Sequence, residues 1–174
     1  SGLSGHVRLA AIPTALAMAP ALTTPFRLKH PDVTFSVLSR TSVEILALMQ
    51  NFEIDAGITY IDNEPMGRVA CVPLYRERYQ LVISTASPLS ARKSVTWAEV
   101  AAVPLCLLTP DMQNRRIINQ HLAEAGVTAS PTLESNSMIV LHAHVLTGHW
   151  ATIMPLRMTE TLGLPAHVRA IPIV

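Results

Sequence analysis

Residues 44–60 read EILALMQNFEIDAGITY, and the handover inside that stretch decides the fold. Ile45, Leu48, Met49 and Phe52 recur at helical spacing; Ile54, Ile58 and Tyr60 then read as a short strand. Asp55 stands at the junction. A carboxylate among apolar neighbours is costly unless it is paired or hydrogen-bonded. Three roles are open for it: catalyst, ligand contact or structural clamp.

The residues upstream complete the pattern. Val7 to Ile12 reads as a buried strand broken by Pro13-Thr14. Leu16 to His30 carries Leu16, Leu22, Phe26 and Leu28 and predicts a helix, with Pro20 in its first turn and a kink at Pro25. His30-Pro31 ends it, because a residue before proline is pushed out of the helical region. Val33 to Leu38 alternates as a strand, and Ser39-Arg40-Thr41-Ser42 supplies an N-cap for the next helix. The first seventy or so residues therefore read β-α-β-α-β, which implies a parallel sheet with right-handed crossovers.

Downstream, Val69 to Leu74 and Tyr79 to Thr85 are strand-like, joined by the charged turn Arg76-Glu77-Arg78. Thr96 caps a short helix, and Leu105 to Leu108 is a strand. Asp111 is a candidate N-cap for a helix lined by Ile118, Leu122 and Ala125 and ended by Gly126. Thr132 to Glu134 predicts a short strand, and Ser135-Asn136-Ser137 opens a helix with Met138, Leu141 and Val145 on one side and Gly148 at its end. Trp150 to Met154 is a strand stopped by Pro155. A brief helix over Arg157 to Leu162 and a strand over Val168 to Val174 follow. Two consecutive α/β units emerge, with residues 75–78 as the crossover.

Composition narrows the function. Hydrophobic residues make up 49% of the 174, enough for a real core. The net charge is +1 with no Lys/Arg stripe, which argues against a nucleic-acid surface in this chain. No apolar run approaches the roughly 20 residues of a membrane span, and no leader is visible. Cys71 and Cys106 form no CxxC and read as two buried, reduced thiols of a cytoplasmic protein.

In order and spacing, these segments resemble the effector-binding (regulatory) domain of LysR-type transcriptional regulators. HVRLAAIPT resembles the family's opening strand and ligand-facing turn. Pro20, Phe26 and His30-Pro31-Asp32-Val33 resemble its first helix and second strand; Glu44-Ile45-Leu46 through Ile54-Asp55-Ala56-Gly57 resembles its second helix and third strand. Ser87-Pro88-Leu89 and Gly148 to Pro155 resemble two later segments. Asn51-Phe52 departs from the glycine usual before Asp55, and Trp150 from a second glycine. The resemblance implies two Rossmann-like lobes in a periplasmic-binding-protein-like (type 2) fold with a ligand cleft between them. Lobe I would span 1–75, its returning C-terminal part missing; lobe II and the start of the crossover back would span 76–174. It implies a small-molecule effector, a homo-dimer or tetramer formed through regulatory domains, and DNA contact only through a missing N-terminal winged helix-turn-helix domain. Leu22 and Leu28 are candidates for the contact between copies, or core residues.

The residues also indicate where a ligand would sit. Open parallel sheets bind ligands at the carboxyl ends of their strands, where helix N-termini favour anions. Those places are Pro13-Thr14, Arg40-Thr41-Ser42, Tyr60-Ile61, Thr109-Pro110-Asp111 and Ser135-Asn136-Ser137. The expectation is a small organic anion held by Thr14, Thr41 and Ser42, with Thr109, Pro110 and Asn136 closing from the second lobe. Arg40 would offer a bidentate carboxylate contact. Ser42 and Ser137 have a plainer alternative as helix caps, Arg40 as a solvated loop residue. Asp111 would repel an anion and reads as a cap. Asp55 begins its strand, at the end away from the ligand, so the clamp is expected.

Enzyme chemistry finds little support. There is no Gly-x-Ser-x-Gly elbow, no Walker loop and no His-Glu-x-x-His. His142 and His144 are two apart and point to different helix faces, and no cofactor is called for. A solute-binding protein of a transport system shares the two-lobe architecture and is the alternative.

Overall fold

The structure, a computed structural model, describes residues 2–174. It divides into a unit ending at Leu74 and a unit spanning Tyr75–Val174.

The first unit is β1 (Ser4–Ala11), a 3-10 turn over Pro13–Met18, α1 (Ala19–Lys29), β2 (Asp32–Ser39), α2 (Ser42–Gln50) and β3 (Ala56–Ile58). Its sheet is parallel, in the order β2-β1-β3. The helix expected from Leu16 starts at Ala19, after the 3-10 turn; Pro20 lies in its first turn and Pro25 in its interior. The strand expected over Ile54 to Tyr60 is confined to Ala56–Ile58. Ala10, Ala11, Ile12, Ala15, Ile45, Ile54 and Ile58 form the core. Ile45 of α2 lies against Gly57 of β3, so closely that a Cβ there would stand 2.5 Å from Ile45 Cγ2.

Asp55 is a clamp. Its Oδ2 accepts from the Arg8 backbone N–H at 2.7 Å, its own N–H donates to the Arg8 carbonyl at 2.8 Å, and the Arg8 guanidinium lies 3.5 Å from Oδ1. The guanidinium also donates to the Phe52 carbonyl at 3.2 Å, tying the end of α2 to β1. Phe52, in the segment where the family usually has glycine, holds φ of 55° and is 85% exposed. The left-handed turn is thus kept without a glycine. Arg8's backbone N–H first, then its side chain, pulls the Asp55 carboxyl below its ordinary 3.8. A depressed carboxylate stabilises the fold above its unfolded pKa, and that contribution is lost as pH falls through the folded value. Asp55→Asn should therefore lower the denaturation midpoint at pH 7, with the two midpoints converging at acid pH below the carboxyl's folded pKa. A gap that persists unchanged at that pH would mean that the charge of Asp55 contributes nothing.

The second unit is β4 (Tyr79–Ser84), α3 (Trp97–Val100), β5 (Cys106–Leu108), α4 (Gln113–Glu124), β6 (Leu133–Ser135), α5 (Met138–Leu146), β7 (Thr152–Pro155), α6 (Leu156–Leu162) and β8 (Val168–Pro172). β4 is antiparallel to both β7 and β8, whereas β5 and β6 are parallel. A bridge between Leu105 and Ala151 connects the β5-β6 pair to β7. Leu81, Val95, Leu105, Leu107, Ile118, Leu122, Ile153 and Ile171 fill the core. Thr152, fully buried, donates its hydroxyl to the Cys106 carbonyl at 2.6 Å.

Four expectations are corrected. Val69 to Leu74 pairs with no strand among the described residues, and Val72 and Leu74 are exposed. Cys71, in the same segment, is exposed rather than buried. Asp111 does not cap α4; Met112 is its N-cap, with no side-chain cap bond. Leu22 and Leu28 are exposed, so they are not core residues.

Candidate functional site

In the first unit three parallel strands end at one edge, so their following loops lie side by side. Arg40 N–H donates to the Ala11 carbonyl, and Ile12 N–H to the Ile58 carbonyl, extending the pairing to the strand ends. Pro13 and Thr14 open the 3-10 turn there, both buried. Thr14 is 2% exposed, and its hydroxyl lies 3.3 Å from the Tyr60 hydroxyl, joining the loops after β1 and β3.

Thr41 caps α2 in a capping box. Its hydroxyl accepts from Glu44 N–H at 3.1 Å, and Glu44 Oε1 accepts from Thr41 N–H at 3.0 Å. Ser42 is therefore not the cap; it is buried at the first helical position, beside N–H groups that the helix itself leaves open. Arg40 Nη1 donates to the Ser39 carbonyl at 2.8 Å.

Sequence reasoning missed Thr59. Its hydroxyl oxygen is buried and has no hydrogen-bond partner among the described residues. The signal was available: Thr59 follows β3 as Thr14 follows β1.

In the second unit β5 and β6 end in register, Leu108 opposite Ser135. Thr109 N–H donates to the Ser135 carbonyl at 3.1 Å, and Ser137 N–H to Ser135 Oγ at 3.1 Å. Thr109, Pro110, Asn136 and Ser137 are thus brought together by adjacent strand ends. Pro110 and Asn136 are exposed, and Ser137 is the N-cap of α5 without a side-chain cap bond. The Thr109 hydroxyl, like that of Thr59, is buried and unpaired among the described residues. Gln113, Asn114 and Arg115, all buried at the start of α4, were not anticipated. The run QNRR has the look of a solvated surface.

Each unit thus carries buried hydroxyls at the carboxyl ends of its strands, and no group of three His, Cys, Asp or Glu among the described residues could hold a metal. Such an arrangement is that of an α/β domain with polar groups gathered at its strand ends. The chain belongs to the LysR substrate binding domain family, whose sequence model matches residues 1–174. It is 28% identical over 171 residues to the uncharacterized HTH-type transcriptional regulator YfeR of Shigella flexneri, covering 97% of this chain and 55% of that protein. The chain spans about half the length of that curated relative. The fold is shared with the reduced OxyR regulatory domain of Pseudomonas aeruginosa (TM-score 0.86, 16% identity, 100% of this chain and 84% of that one). It is shared too with the effector binding domain of QuiR in complex with shikimate (TM-score 0.81, 22% identity, 99% and 82%). The architecture is therefore periplasmic-binding-protein-like, of type 2.

Proposed function

We propose that this chain is the effector-sensing part of a cytoplasmic LysR-type transcriptional regulator and that it binds a small organic anion. The observation that carries this reading is the pair of buried, unpaired hydroxyls of Thr59 and Thr109, each directly after a strand. A buried polar group without a partner costs about 1–3 kcal/mol, which a ligand oxygen restores. Thr14, Tyr60, Ser42 and the open N–H groups of α2 add donors in the first unit, and Ser137 and Asn136 do so in the second. Pro13 and Pro110 contribute shape, and Arg40 and Thr41 border the first set. The shikimate in the QuiR complex is a hydroxylated carboxylate, the chemistry that such donors suit.

Binding shifts a regulator only by its differential affinity for two arrangements. In the full-length protein those arrangements would set how paired helix-turn-helix domains meet DNA. Self-association is the expected context. Leu28 (75% exposed) on α1 and Phe35 and Val37 on β2 line a hollow of about 340 Å³, and with the exposed Leu22 and Phe26 of α1 they offer an apolar face to a second copy. The named relatives are regulators, which favours this role over transport.

The test is a thermal-shift and calorimetric screen with shikimate, other small carboxylates and sulfate. A ligand that binds only the folded form stabilises it by about 2.7 kcal/mol at a hundredfold excess over its Kd. One carboxylate should raise Tm. Thr14→Val and Thr109→Val should each weaken its binding about tenfold, the loss of one good hydrogen bond. Full affinity in both variants would end the placement.

A further inference from the structure

We infer that Arg115 and Glu134 are positioning residues for effector binding, and that they make the loop after β5 and the start of α5 one rigid piece. The inference rests on the reading of the strand-end loops as a ligand site. Arg115 is 6% exposed, yet its charge is fully employed. Nη1 donates to the Leu108 carbonyl at 2.7 Å and meets Glu134 Oε2 at 2.5 Å; Nε donates to Asn119 Oδ1 at 3.0 Å. One guanidinium thus joins the end of β5, the middle of β6 and the second turn of α4.

Its neighbour extends the grip. Arg116 Nη1 donates to the carbonyls of Pro110 and Asp111, at 3.1 and 3.0 Å. Consecutive arginines therefore hold three of the four carbonyls from Leu108 to Asp111. The fourth, that of Thr109, accepts from Met112 N–H at 3.0 Å. With every carbonyl of the loop engaged inside the protein, the Thr109 hydroxyl is the group left unpaired. The hold reaches α5 through Ser135, whose carbonyl accepts from Thr109 and whose hydroxyl accepts from Ser137. Glu134 precedes Ser135, so the ion pair fixes both sides of this bridge. A loop ordered before the ligand arrives avoids an ordering cost on binding.

The position demands arginine. Lysine keeps the charge but loses the planar fork that serves three acceptors at once. The experiment compares the wild-type chain with Arg115→Lys and Glu134→Gln by amide hydrogen exchange without ligand. Thr109, Met112 and Ser137 amides should exchange about tenfold faster in Arg115→Lys, and less markedly so in Glu134→Gln, while Leu81 and Val82 of β4 keep their protection. Unchanged exchange at the three amides would overturn the proposal. So would an equal loss at β4, which would make Arg115 a general stabiliser of the unit. A second arm titrates shikimate as the probe. Weaker binding to Arg115→Lys than to wild type supports positioning, and equal binding overturns it. If wild type itself does not bind shikimate, the carboxylate reading fails for that probe, and the exchange arm alone decides whether the clamp exists.

Discussion

Gly57→Val should strongly destabilise the first unit while the second keeps its native transition. A Cβ built at Gly57 would stand 2.5 Å from Ile45 Cγ2, with the Ala10 carbonyl oxygen at 3.7 Å and Ile54 Cδ1 at 3.8 Å. Ile45 cannot yield. It is fully buried, and its β-branch leaves one favoured χ1 on a helix. Either α2 lifts from the sheet or β3 moves outward, and both disrupt a core built mainly of alanine and isoleucine. Overpacking of this kind costs about 1–3 kcal/mol or somewhat more, a large share of the stability of so small a unit. Both tryptophans, Trp97 and Trp150, belong to the second unit. Their fluorescence should therefore keep its native transition while amide protection of β1 collapses. Ile45→Ala added to Gly57→Val should recover part of the loss, because the two sites share one volume. Native protection of β1 in the single variant would sink the account.

That close approach was invisible in the sequence, although the elements that make it were not. The helix-to-strand handover around Asp55 could be placed because spacing changes there from helical to alternating. Thr41 with Glu44, and Thr96 with Glu99, are spaced as capping boxes, and both boxes form. Gly126 and Gly148 end their helices with φ of 76° and 84°. What composition could not convey was strand direction. YQLVIS is buried at its centre whichever way its neighbours run, and β4 proves antiparallel to both. Val69 to Leu74 carries the apolar signature of a strand, but a strand exists only with a partner, and none pairs with it among the described residues. Asp111 misled because side-chain capping ability is read locally, whereas α4 starts one residue later, with Met112 as N-cap and the Asp111 carbonyl held by Arg116.

The strand-end threonines were legible for a simpler reason. Parallel strands put their following residues at one edge, so Thr14 and Thr109 could be located before any contact was known. Thr59 obeys the same rule, one position before Tyr60. The buried Arg115 was not legible at all. Its burial depends on Glu134, nineteen positions away, and on a backbone carbonyl that carries no sequence signal.

The two cysteines should differ in thiol reactivity by at least about a hundredfold, because only a thiolate attacks and only an accessible one is attacked. Cys106 is completely buried in β5, and burial pushes its thiol up to about 11. At pH 8 about one such thiol in a thousand is ionised, and a reagent must first wait for β5 to open. Cys71 is exposed on a segment outside any helix or strand. Native protein treated with iodoacetamide at pH 8 should therefore take up one equivalent promptly, mapped to Cys71 by mass spectrometry, and a second only in denaturant. Cys71→Ser should abolish the fast phase. Prompt labelling of both thiols would show that β5 opens readily. That result would count equally against a preordered Thr109 loop, because Cys106 lies three residues before it on the same strand and Arg115 grips the carbonyl at that strand's end.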